Sequence, residues 1–137
     1  MVGTDFGLLS GDDASALAFI THGGNGCSSV TSHVEPGLCR SMYLACKRGE
    51  VGAAQTLASM VARLTAVLFR ETNPTPVKYA LSLLGVMSPR VRLPLVEPAD
   101  GTRDEIAAMI ADACDGYPEY MIGKMCESAQ SRRAVAV

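Results

Sequence analysis

Apolar positions near the start of the chain fall into two short runs, residues 6–10 and residues 27–31. The first breaks into Gly11-Asp12-Asp13; the second is entered through Gly23-Gly24-Asn25-Gly26. Neither alternates strictly, a pattern suited to strands buried on both faces, as in parallel sheets. Val30 and Thr31 supply the β-branched members of the second run. Between them, residues 14–22 place Ala14, Leu17, Ala18 and Phe19 at helical spacing. Asp12 or Asp13 suits the start of that helix, and Gly23-Gly24 its end, because glycine accepts the left-handed conformation there. The spacing predicts one βαβ unit.

From Pro36 onward the period becomes helical. Pro36 suits a first turn, and Leu38, Met42 and Cys46 or Ala45 form a stripe before Gly49. Residues 51–69 form the longest periodic run, with Leu57, Met60, Val61, Leu64, Val67 and Leu68 on one face. Asn73-Pro74-Thr75-Pro76 interrupts it, and Thr75 is placed to cap a helix opening at Pro76 and stopping at Gly85. Prolines 89, 94 and 98 make the next stretch irregular. Thr102-Arg103-Asp104-Glu105 has the form of a capping box, which predicts a helix through Ala113. Beyond Gly116, a short helix over 117–129 and a loose tail over 131–137 are the readings available.

The order β-α-β followed by helices leaves two parallel strands without cover or neighbours, an unstable arrangement by itself. The pattern thus implies an α/β fold of which part lies elsewhere; a helical domain carrying a β-ribbon appendage is the rival. Net charge −2 over 137 residues offers no basic surface for nucleic acid. No unbroken apolar run approaches the ~18 residues of a spanning helix, and the first residues lack a leader's pattern. Five cysteines, an odd number without C-x-x-C spacing, fit buried thiols in a cytoplasmic protein. His33, Cys39 and Cys46 match no common zinc spacing, so no metal is assigned.

Four stretches in register resemble the dihydrodipicolinate synthase family. They are Leu8-Leu9-Ser10-Gly11-Asp12-Asp13-Ala14, the segment Gly23-Gly24-Asn25-Gly26-Cys27-Ser28-Ser29-Val30-Thr31-Ser32, Asn73-Pro74-Thr75-Pro76-Val77-Lys78-Tyr79-Ala80, and Arg92-Leu93-Pro94-Leu95. The resemblance implies the last two strands of a TIM (β/α)8 barrel followed by a C-terminal helical domain. Residues 1–35 would be the last βαβ unit, 36–115 the barrel-end helix and helical domain, and 116–137 a tail of unclear origin. It further implies a lyase of lysine biosynthesis, usually a homotetramer, that needs no cofactor. A lysine forms a Schiff base with pyruvate, and the resulting enamine attacks aspartate semialdehyde. A tyrosine relay moves the protons.

Neither the lysine nor the relay has a counterpart in the matched stretches. Lys47, Lys78 and Lys124 all fall in segments read as helical, so no catalytic residue is assigned and the chain alone is expected to be inactive. The resemblance assigns two substrate-binding positions. Gly11 matches the glycine that lets pyruvate approach the backbone. Ser28 stands where a branched apolar residue is usual, and Thr75 where isoleucine is usual.

The rival readings are structural. Asp12 and Asp13 suit a helix start better than acid–base work, and the glycines before residue 27 precede a strand rather than opening a helix, the wrong geometry for a phosphate loop. His22 and His33 read as surface or capping residues. A non-catalytic helical interaction module, and a fragment of a related sialic-acid or sugar-acid aldolase, are the alternative functions.

Overall fold

The computed structural model describes residues 5–116. Strands β1 (Leu9–Ser10) and β2 (Gly26–Cys27) flank helix α1 (Ala16–Thr21). They pair in parallel, with Leu9 opposite Gly26 and Ser10 opposite Cys27. A 3-10 turn (Thr31–His33) leads into α2 (Pro36–Lys47), α3 (Val51–Leu68), α4 (Thr75–Leu83) and α5 (Asp100–Gly116). The segment read as a short helix and tail, 117–137, lies outside the described residues.

The β-α-β order is as expected, but both strands are shorter than the apolar runs. Val30 and Thr31 are not in a strand: Val30 has φ −76° and ψ −42°, and Thr31 opens the 3-10 turn. The cause is Asp13, whose carboxylate accepts the N–H of Val30 at 2.9 Å and of Thr31 at 3.1 Å. Two adjacent amides converging on one oxygen are incompatible with the alternation of a strand. At the other end of the unit, α1 stops through Gly23 at φ 99°, where the left-handed backbone favours glycine. Gly24 is required by contact: a Cβ there would lie 2.3 Å from the Phe19 ring and 2.7 Å from its carbonyl oxygen.

The helices bury the stripes that their sequences present. Leu38 and Met42 of α2 meet Val61 and Leu64 of α3 and Ala16 of α1 in one cluster, with Ala45 buried on the same face of α2. A second cluster joins Leu68 to Val77, Ala80, Leu81 and Leu84 around α4, and to Ile106, Ile110 and Ala113 of α5. Each fully buried leucine or isoleucine contributes about 2 kcal/mol of transfer free energy. The two clusters thus make the helical part the main apolar store of the chain. By length and composition alone α3 could cross a membrane. Its face bearing Val61, Leu64 and Leu68 is buried in this core, however, and Gln55, Thr56, Ser59 and Arg63 are exposed.

Two predicted caps do not form. Helix α4 begins at Thr75 itself without a side-chain cap, and Thr75 is buried. Helix α5 begins at Asp100, which puts Thr102 inside the first turn and buries it. Glu105 instead reaches Arg70 at 2.9 Å, and Glu71 accepts the Ala99 N–H at 3.1 Å. Arg103 pairs with Glu97 at 2.9 Å and Asp100 at 3.6 Å. These contacts tie the proline-rich connection to the end of α3, moving the helix start ahead of the predicted box.

Candidate site at the carboxyl ends of the paired strands

Gly11 and Ser28 each follow the last residue of a strand, so the parallel pairing brings them to the same end of the sheet. The Ser28 N–H donates to the Ser10 carbonyl at 2.8 Å, which fixes the two strand ends together. Ser10 does more than pair. Its hydroxyl donates to the Asp12 carbonyl at 2.9 Å and accepts the Asp12 N–H at 3.2 Å, pinning the backbone on either side of Gly11. That role was not legible beforehand, because a serine at a strand end carries no distinctive pattern.

Gly11 is not demanded by the chain's own packing. Its φ lies outside the left-handed region occupied by Gly23, Gly49 and Gly85. A Cβ built on it would meet nothing within 4 Å among the described residues. Gly11 and Ser28 are both exposed, so the strand ends open onto free space.

The neighbouring carboxylates have structural work. Asp12 accepts both the N–H of Ser15 at 2.8 Å and its hydroxyl at 2.7 Å. The hydroxyl bond, then the backbone bond, hold this exposed carboxyl below its ordinary range. It therefore starts α1 as an acceptor. Asp13 is buried and clasps the turn after β2. The histidines cap: His22 Nδ1 lies 2.7 Å from the Ala18 carbonyl, and His33 Nδ1 lies 3.1 Å from that of Val30. No group of three or more His, Cys, Asp or Glu side chains placed to hold a metal ion occurs among the described residues.

Neither described lysine reaches the strand ends. Lys78 Nζ donates to the Arg90 carbonyl, and Lys47 Nζ lies 5.7 Å from the centre of the Tyr43 ring. Lys124 lies outside the described residues. Cys27, Cys39 and Cys46 are free thiols. Burial raises all three, Cys39 to about 11, so they stay protonated and weakly nucleophilic near neutral pH.

Two further features escaped the sequence. One is an open cleft of about 400 Å³ whose walls include Leu9, Ile20, Cys27, Cys39, Arg40 and Tyr43, between the strands and α2. Gly11 and Ser28 do not line it. The other is Glu35, 0% exposed, with neither carboxylate oxygen hydrogen-bonded. Burial alone pushes its pKa up to about 7. A glutamate before a proline-started helix reads as a solvated cap, so nothing in the sequence marks it.

A parallel βαβ unit with small residues at its strand ends, followed by packed helices, is what part of a parallel α/β fold presents. The model of the dihydrodipicolinate synthetase family matches residues 1–113, and the chain belongs to that family. The 4-hydroxy-tetrahydrodipicolinate synthase of Afipia carboxidovorans is 46% identical over 112 residues, 82% of this chain and 38% of that enzyme. Dihydrodipicolinate synthase from Thermotoga maritima superposes with a TM-score of 0.78 at 31% identity, covering 80% of this chain and 37% of the other. The chloride-inhibited enzyme of Acinetobacter baumannii, complexed with pyruvate, gives 0.74 at 32% identity over 79% and 37%. The chain therefore spans well under half the length of the relatives it matches.

Proposed function

We propose that this chain supplies the last two strands, the barrel-end helix and the C-terminal helical region of a 4-hydroxy-tetrahydrodipicolinate synthase. In this reading residues 1–35 are the final βαβ unit of a TIM barrel, 36–115 the helical part, and 116–137 an extension. The strand ends form one wall of the pocket in which pyruvate is held, with Gly11 giving the keto acid access to the backbone and Ser28 beside it. The observation that carries the reading is that Gly11 and Ser28 each follow the last residue of one of two paired parallel strands, at the same end of the sheet. There neither backbone conformation nor neighbouring atoms require the glycine. In α/β barrels such ends are where ligands bind.

The chemistry needs a lysine amine that attacks the pyruvate carbonyl, expels water and forms an imine. Loss of a methyl proton then gives the enamine that attacks the aldehyde of aspartate semialdehyde. No described side chain at the strand ends can serve as that amine, so the chain contributes shape and polarity while the nucleophile comes from the remainder of the enzyme. No cofactor or metal is required. The intact enzyme is read as a cytoplasmic homotetramer.

The test has two arms. The purified chain, treated with pyruvate and borohydride, should gain no trapped-adduct mass; an adduct on any of its lysines overturns the assignment of the nucleophile. A chimera joining residues 1–113 to the preceding part of the Afipia enzyme should condense pyruvate with aspartate semialdehyde. A folded chimera without that activity overturns the pocket-wall reading.

A further inference from the structure

The peptide unit that joins Gly11 to Asp12 is held by its N–H. That N–H donates to the Ser10 hydroxyl at 3.2 Å, and the same hydroxyl donates to the Asp12 carbonyl at 2.9 Å. Cys27, which stands opposite Ser10 in the strand pairing, brings its thiol to that Asp12 carbonyl at 3.7 Å. Ser10 is buried, so water competes little for its bonds. The Gly11–Asp12 bond is trans, and in a trans peptide the C=O and N–H point in opposite directions. An N–H turned to Ser10 therefore aims the Gly11 carbonyl away from it. Gly11 is exposed, and its carbonyl accepts no hydrogen bond among the described residues.

We infer that Ser10 is a positioning residue: it fixes the Gly11 carbonyl as an acceptor for the O–H or N–H group that a keto acid gains once an amine has added to it. The inference rests on the function proposed above and deepens it. A free 2-keto acid has acceptors at its carboxylate and its carbonyl but no donor, so an acceptor here gains nothing by binding it. Addition changes that. The amine nitrogen bonds to C2, the carbonyl π bond opens, and a proton passes from nitrogen to the former carbonyl oxygen. The adduct then carries one hydroxyl and one N–H, both donors. Expulsion of the hydroxyl with a proton, as water, gives the imine, which keeps an N–H when protonated. A fixed acceptor at this point favours what forms after addition over the substrate, and so acts on rate rather than on binding. With no Cβ on Gly11, nothing on the chain stands between that carbonyl and the adduct.

The experiment places Ser10→Ala and Ser10→Thr in the chimera that carries residues 1–113. Ser10→Ala should slow borohydride trapping at saturating pyruvate about tenfold and leave the half-saturating pyruvate concentration unchanged. Ser10→Thr keeps the hydroxyl and should restore the rate. In the unaltered full chain, hydrogen exchange at the Asp12 amide should be slowed although Asp12 is exposed; a freely exchanging Asp12 amide overturns the inference without any variant. So does a Ser10→Ala effect on half-saturation alone, or a Ser10→Thr variant that protects Asp12 and stays slow. A parent chimera that traps no pyruvate removes the function proposed above and this inference with it. A trapping parent matched in rate by Ser10→Ala removes this inference alone.

Discussion

Asp13 and Thr31 are joined across the βαβ unit by a 3.1 Å hydrogen bond from the Thr31 N–H, and the same carboxylate takes the Val30 N–H at 2.9 Å. The residue after one strand end thereby shapes the chain after the other. Asp13→Ala leaves two amides unsatisfied next to a buried site, which should cost about 3 kcal/mol. Urea unfolding followed by circular dichroism measures the loss. Hydrogen exchange should locate it, with protection falling at residues 30 and 31 while α4 and α5 keep theirs.

Glu35 gives a pH dependence of definite sign. Its folded pKa of about 7 stands above the ordinary glutamate value of 4.5 because burial disfavours the charged form. The folded state therefore binds the proton more tightly, and stability is greatest below about 4.5 and falls as pH rises through 7. At 1.36 kcal/mol per unit the fall is roughly 3 kcal/mol. Glu35→Gln should remove this slope between pH 5 and 8, as read from urea midpoints. A slope that persists unchanged in the variant assigns the effect to other groups.

Gly11→Val separates pocket from packing. With open space at the Cβ and no positive φ, the substitution should leave the unfolding midpoint within about 0.5 kcal/mol of the parent. In the chimera it should abolish pyruvate trapping, because the branched side chain fills the space at the strand end. A large stability loss would show that glycine serves the fold instead.

Gly24→Ala should behave in the opposite way. The added methyl would lie 2.7 Å from the Phe19 carbonyl oxygen, a backbone atom that cannot swing aside. Overpacking of this kind costs about 1–3 kcal/mol. The unfolding midpoint should drop accordingly, and Phe19→Ala in the same chain should not restore it.

The helical layer was the more legible part of the sequence, because Leu38, Met42, Val61, Leu64 and Leu68 bury the stripe that their spacing presents. Strand lengths were not, since Val30 and Thr31 have β-branched side chains whose local preference is overruled by a distant carboxylate. The capping residues failed for a similar reason. Thr75 and Thr102 sit in the right sequence pattern but are buried, and ion pairs from Glu97, Asp100 and Glu105 set where α5 begins and how it docks. At the site, the strand-end glycine was legible as punctuation. The Ser10 hydroxyl that pins its backbone and the solitary carboxyl of Glu35 were not, because both depend on what surrounds them in space.

The hydroxyls of Thr31 and Thr65 meet at 2.9 Å in the interior, and the Thr65 hydroxyl donates a hydrogen bond to the Val61 carbonyl. This link runs from the turn behind the strand ends directly into the middle of α3. A recombination point placed near residue 35, at the apparent seam between strand unit and helices, would separate the two threonines into different parents. Exchange of segments among relatives should therefore succeed when both travel together and fail when one is replaced by a residue without a hydroxyl. The unit of inheritance at this site is thus longer than the βαβ motif that displays it.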